Sequence, residues 1–238
     1  LEGRVAARKA WTDKLHSIEV DAPGLAFTAG QFARLALPAP PGAKEPMIGR
    51  PYSFVNPPGA PRHEFYFAVV PDGPLSPRLA ALAPGEPLWL GPNANGFFCV
   101  GELPQAEALW CLSTGTGIGP FLSILRTADP WDRFGRVVLV HAVRHAAELT
   151  YRDTIAGIAR DHAATRVPDA DLRFIESDAA TVATADASAD LAICLGASWI
   201  PQCNVTLVTR STRDHPNYCG AHEGRRDRWR ASASSQVG

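Results

Sequence analysis

The run Ala108-Leu109-Trp110-Cys111-Leu112-Ser113-Thr114-Gly115-Thr116-Gly117-Ile118-Gly119-Pro120-Phe121-Leu122-Ser123-Ile124-Leu125 decides how the rest of the chain is read. Ala108 to Leu112 is a short continuous apolar stretch, as expected of a strand buried on both faces. Gly115, Gly117 and Gly119 then form a turn, and Phe121 to Leu125 opens a helix. A strand that runs through glycines into a helix start offers free backbone N–H groups to a diphosphate. The spacing departs from G-x-G-x-x-G, so taken alone the segment also fits a plain tight strand–helix turn.

Downstream the same alternation continues. Arg136 to His141 reads as a second buried strand, Glu148 to His162 as a helix and Leu172 to Ile175 as a third strand. Strand, glycine turn, helix, strand, helix, strand is the order of a doubly wound parallel α/β sheet. Arg144 stands just past the second strand, where a guanidinium can pair with a ribose 2′-phosphate and favour NADP over NAD. The plain alternative is a surface arginine.

Upstream the pattern is β. Short apolar stretches, Leu15 to Val20, Phe32 to Leu37, Tyr52 to Val55, Phe65 to Val70 and Pro87 to Leu90, are separated by Gly and Pro breaks. Several short strands at such spacing predict a small closed antiparallel barrel. A short helix is expected over Ser76 to Leu82, with Pro77 in its first turn. The change of pattern puts the domain boundary near residue 101.

Two barrel segments carry chemistry. Arg50-Pro51-Tyr52-Ser53 joins an aromatic, a hydroxyl and a guanidinium at a strand start. Tyr52 can lie flat on a flavin ring, Ser53 can hydrogen-bond its redox-active nitrogen, and Arg50 can pair with a pyrophosphate. Gly73-Pro74-Leu75-Ser76 precedes the short helix, where the chain can approach a phosphate closely. The alternatives are an ordinary barrel aromatic with a solvated arginine, and a plain helix capped by Ser76.

Composition bounds the rest. The 238 residues suit two modest domains at ~100–200 residues each. Hydrophobic residues at 46% are ample for a core, and a net charge of −1 argues against a nucleic-acid partner. No run reaches the ~18 apolar residues of a membrane span. Leu1 to Lys9 lacks the apolar segment of a signal peptide, and the start without Met suggests an incomplete or reprocessed beginning. Cys99, Cys111, Cys194, Cys203 and Cys219 show neither metal-ligand spacing nor a disulfide pattern, which fits a reducing cytoplasm. No metal site is expected.

Taken in order, these motifs resemble bacterial ferredoxin–NADP+ reductase, within the ferredoxin reductase-like flavoprotein superfamily. The resemblance rests on Ala29-Gly30-Gln31-Phe32, Arg50 to Asn56, Glu64-Phe65-Tyr66, Asp72 to Leu79, Gly96-Phe97-Phe98, Thr114 to Pro120, His141 to Arg144 and Glu148-Leu149-Thr150-Tyr151. It runs to about His162. It implies an FAD-binding β-barrel over residues 1–101 and an NADP-binding α/β domain over 102–210. FAD and NADP(H) are the implied cofactors, and ferredoxin or flavodoxin the implied partner. Cofactor binding falls to Arg50, Pro51, Tyr52, Ser53, Phe65, Tyr66, Gly73, Leu75, Ser76, Thr114, Gly115, Thr116, Gly117, Gly119 and Arg144. Tyr52 and Ser53 are the residues expected at the reacting rings, as positioning groups rather than an acid–base pair. A cytoplasmic monomer is expected.

The resemblance breaks down after about residue 176. Ser177 lies between Glu176 and Asp178, which would repel a phosphate. Cys194-Leu195-Gly196-Ala197 only blurs the family's Cys-Gly-x-Pro pattern, and Trp229 is not in the context of a terminal aromatic. Residues 181–238 lack Phe and Lys, and Leu, Ile, Val and Phe together fall below the ~20% usual of self-folding segments. A shifted reading frame accounts for this composition, with 211–238 as a disordered or aberrant tail. The alternative function is then a catalytically impaired FAD-binding module with an incomplete nucleotide domain.

Overall fold

A computed structural model of the chain describes residues 1–166, 173–178, 191–195 and 204–209. The strands β1 (Glu2–Ala10), β2 (Leu15–Asp21), β3 (Phe32–Pro38), β4 (Met47–Ser53), β5 (His63–Ala68) and β6 (Pro87–Leu90) form one antiparallel sheet in the order β4-β3-β6-β1-β2-β5. The two outer strands meet where Phe54 bridges Phe65, which curls the sheet towards the expected barrel.

Alternation explains the barrel core. Ala33, Leu35 and Leu37 of β3, Leu88 and Leu90 of β6, and Phe65 and Phe67 of β5 point inward and are buried. β1 escaped the sequence reading because glycine stands at an inward position. A Cβ on Gly3 would lie 2.8 Å from both Leu90 Cδ1 and Val20 Cγ1, so the barrel has no room for the apolar side chain that marks a strand. The helix α1 (Ser76–Ala81) follows β5.

The second sheet contains β7 (Ala108–Thr114), β8 (Arg136–Val143), β9 (Arg173–Asp178), β10 (Leu191–Leu195) and β11 (Asn204–Thr209), in the order β10-β7-β8-β11-β9. β10, β7 and β8 are parallel, as a doubly wound sheet requires. β11 departs from that pattern by running antiparallel to both β8 and β9. The link 196–203 is shorter than the dozen or so residues that a parallel crossover needs, which favours the reversed direction. Gly196-Ala197, Trp229 and the tail 211–238 lie outside the described residues.

The helix α2 (Ile118–Leu125) has all eight residues buried, as expected of a helix that is apolar all round. It is wedged between the second sheet and the barrel. Ser123 Oγ donates to the Asn56 carbonyl at 2.7 Å, and Arg126 Nη1 donates to the Val55 carbonyl at 3.4 Å. The second core therefore draws in barrel residues: Leu15, Ala29, Val55 and Tyr66 pack with Ile118, Phe121 and Leu122. Helices α3 (Asp129–Arg133) and α4 (Arg152–Arg166) complete the half.

Candidate active site

Between the two sheets lies a cleft of about 970 Å³. One wall is barrel: Arg50 to Ser53 of β4, Tyr66 and Phe67 of β5, and the Gly73–Ser76 turn. The other is the glycine turn, from Thr114 to Gly117 with Gly119, together with Ala142 to Arg144 at the end of β8. Segments far apart in the chain thus converge as the motif order implied.

β4 is an edge strand, so Pro51 is tolerated there without a backbone N–H to give. Tyr52 stands half-buried, its ring edge-on to Phe67 at 5.7 Å. Burial raises its phenol pKa, opposed by the nearby Arg50 guanidinium, so the ring presents a neutral face. Arg50 is exposed, and its Nη1 donates to the Gly49 carbonyl at 2.9 Å.

The Gly73–Ser76 turn is tighter than a plain cap. Gly73 N–H donates to the Val70 carbonyl at 2.9 Å, and a Cβ there would meet that oxygen at 3.0 Å. Ser76 does not cap α1: the cap position is Leu75, while Ser76 Oγ accepts the Val70 N–H at 2.9 Å. The hydroxyl is drawn back across the turn, where it closes the 70–76 loop. Leu75 is buried and still borders the cleft.

On the opposite wall Gly115 adopts φ +50, and a Cβ built on it meets nothing within 4 Å. The turn therefore leaves open space where a side chain would stand. Buried His141 lies behind it, with Nε2 3.0 Å from the Gly115 carbonyl. Arg144 is held from its backbone, its N–H donating to Glu148 Oε2 at 3.2 Å.

Of the residues expected to bind cofactor, Phe65 is the one that the fold takes elsewhere. It is fully buried in the barrel core, 5.1 Å from the Phe54 ring. Tyr66, on the opposite face of β5, reaches the cleft, and so does Phe67, which shares the face of Phe65 one step nearer the strand end. Lys14, Leu15, Phe67 and Glu148 also line the cleft and were missed. Neither Phe67 nor Lys14 carries a local signal: the alternation of Glu64 to Val69 sets Phe67 on the core-facing side with Phe65. Among the described residues, no group of three or more His, Cys, Asp or Glu side chains could hold a metal ion. No described helix is long and apolar enough to cross a membrane.

Residues 111–183 match the family model described as an oxidoreductase NAD-binding domain. The chain is 52% identical over 149 residues to a flavodoxin/ferredoxin–NADP reductase of Escherichia coli (strain K12), covering 63% of this chain and 58% of that protein. It is 36% identical over 160 residues to a ferredoxin–NADP reductase of Pseudomonas aeruginosa, covering 67% of this chain and 60% of that protein. Among solved structures, a ferredoxin NADP+ reductase from Neisseria gonorrhoeae with bound FAD and NADP superposes with a TM-score of 0.62 at 33% identity. That match covers 68% of this chain and 64% of the other. The chain thus spans about three-fifths of the length of the curated relatives it matches. The resemblance to bacterial flavodoxin/ferredoxin–NADP reductases, and the fold of an antiparallel sheet followed by a largely parallel one, are both borne out.

Proposed function

We propose that the chain is an FAD-dependent oxidoreductase of the flavodoxin/ferredoxin–NADP reductase type, moving electrons between NADPH and ferredoxin or flavodoxin. One observation carries this proposal: a single cleft gathers Arg50 to Ser53, Tyr66 and the Gly73 turn opposite Gly115 to Gly119 and Arg144. Its volume lies within the ~300–1,000 Å³ usual of cofactor sites. The donor set also fits the group, with an aromatic, a hydroxyl and a guanidinium on one wall and bare backbone on the other.

In this proposal residues 1–101 hold FAD and 102–210 hold NADP(H). Tyr52 supplies a flat apolar contact, Ser53 a hydroxyl at its edge and Arg50 a charge for the pyrophosphate. The Gly115–Gly119 backbone receives the nucleotide diphosphate, and Arg144 its 2′-phosphate. Held there, a flavin would supply the redox chemistry between a two-electron hydride donor and a one-electron protein acceptor. The residues around it bind and orient the two cofactors, and the two walls together keep water from the junction. The protein works as a cytoplasmic monomer.

The test is purification of the full chain, identification of the flavin released on denaturation, and assay of NADPH oxidation with flavodoxin or ferredoxin as acceptor. The proposal expects FAD and acceptor-dependent turnover. FAD with no turnover would support the impaired flavin module instead, and a colourless protein would contradict both.

A further inference from the structure

The segment Glu148-Leu149-Thr150-Tyr151 lies between the cleft wall and α4, and the proposed binding roles leave Thr150 and Tyr151 unused. Both are buried, and both reach across to the barrel. Thr150 Oγ1 donates to Tyr66 Oη at 2.9 Å, and Tyr151 Oη donates to Glu64 Oε1 at 2.6 Å. Glu64 and Tyr66 are two apart on β5 and share a face, the one turned away from the barrel core. Two consecutive residues of the nucleotide half therefore grip two same-face residues of a barrel strand.

The backbone is shaped for this grip. Tyr151 has φ +59, the one non-glycine residue at positive φ among the described residues. Such a conformation is disfavoured and persists where its surroundings enforce it. Here they do: the Tyr151 ring packs on Trp11 at 4.4 Å and edge-on to Tyr66 at 5.1 Å. Arg126, at the end of α2, approaches the other Glu64 oxygen at 3.9 Å. At the segment's start, Glu148 Oε2 accepts the N–H groups of Arg144 and His145. One short stretch thus joins the Arg144 wall to the Tyr66 wall.

We propose that Thr150 and Tyr151 form an inter-domain clasp that sets the spacing and angle of the two cleft walls, and so positions nucleotide against flavin. The inference rests on the reductase reading given above. α2 already joins the halves through Val55 and Asn56. The two polar contacts of Thr150 and Tyr151 add a second attachment away from α2, and two separated attachments fix an angle that one would leave adjustable. Tyr66 is both gripped by Thr150 and part of the cleft lining, so movement at the clasp is movement of the wall.

The test uses Thr150→Val, which keeps the side-chain volume and removes the hydroxyl, with Thr150→Ser as the restoring variant and Tyr151→Phe for the second contact. The clasp predicts that NADPH bleaches the flavin band about tenfold more slowly in Thr150→Val, with nucleotide affinity near wild type and Thr150→Ser restored. Amide exchange is the flavin-independent readout. Exchange should quicken at 148–151 and across Gly115 to Gly119 in Thr150→Val and Tyr151→Phe, while the β1–β2 ladder stays protected. Bleaching within twofold of wild type, or slow bleaching that serine fails to restore, overturns the clasp while leaving the reductase reading intact. If the wild-type chain binds no flavin, that reading has failed, and unchanged exchange at Gly115 to Gly119 then overturns the clasp separately.

Discussion

Buried His141 holds the carbonyl of Gly115, its Nε2 lying 3.0 Å from that oxygen. A carbonyl only accepts, so the ring is the Nε2–H tautomer, and its Nδ1 is buried with no hydrogen-bond partner among the described residues. Burial pushes its pKa down to about 4, against the upward pull of the Gly115 hydrogen bond. The imidazole is therefore neutral at ordinary pH, and the glycine turn keeps its shape across that range.

This relationship fixes the sign of a pH effect. Between the folded value of about 4 and the ordinary 6.5, the unfolded chain binds more protons at this group. Stability is therefore complete above pH 6.5 and is lost as pH falls towards 4, by up to about 3 kcal/mol. His63 is shifted in the same direction and Glu64 in the opposite one, both mainly by burial, so the difference from His141→Gln isolates the effect. Denaturant unfolding should show the wild-type advantage narrowing from pH 7 to pH 4. A constant advantage would rule out His141 as the titrating group.

Arg144 ends the cleft wall after β8. Replacing it with alanine should raise the Michaelis constant for NADPH by about tenfold or more, the worth of a charge-assisted contact, and leave that for NADH nearly unchanged. Steady-state assays with both nucleotides check this. Equal effects on the two would remove the 2′-phosphate role.

Gly117 sits at φ −62 and ψ −8, a conformation open to any residue. Gly117→Val should therefore fold and retain flavin while losing nucleotide binding by about a hundredfold, because its side chain fills the turn that the diphosphate needs. Calorimetric titration with NADP+ against flavin content separates the two. Loss of flavin together with nucleotide would show that the turn serves the whole cleft.

Gly30 lies at φ +97, and a Cβ there would run into the Phe98 carbonyl. The turn is tied to the same loop by Gln31, whose Nε2 donates to the Gly96 carbonyl at 3.1 Å. Gly30→Ala should cost about 3 kcal/mol in unfolding free energy, from strain and collision together. A loss under about 1 kcal/mol would mean the loop shifts freely.

Much of this architecture was legible in the chain. Pro87–Leu90 was read with its true bounds because a short apolar alternation is fenced by Pro and Gly. The apolar pattern sets β4 too late, at Tyr52 to Val55, because Phe54 and Val55 look like strand residues. They leave the sheet to bridge Phe65 and to receive α2. The helix expected from Glu148 begins instead at Arg152, since the left-handed turn at Tyr151 follows from contacts with Trp11 and Glu64 in the other half. His141 stands out in the sequence only within a motif, because its burial arises when β7 and the glycine turn close over it. The meeting of Arg50 to Ser53 with Gly115 to Gly119 was accessible through motif order, not through any local pattern.

Anaerobic titration of the full chain with NADPH, followed at the flavin absorbance band, tests the central claim most directly. Two redox cofactors sharing one cleft should give complete bleaching at about one NADPH per flavin, two electrons passing as a single hydride. A flavin band that persists under excess NADPH, yet falls on addition of a chemical reductant, would contradict the account.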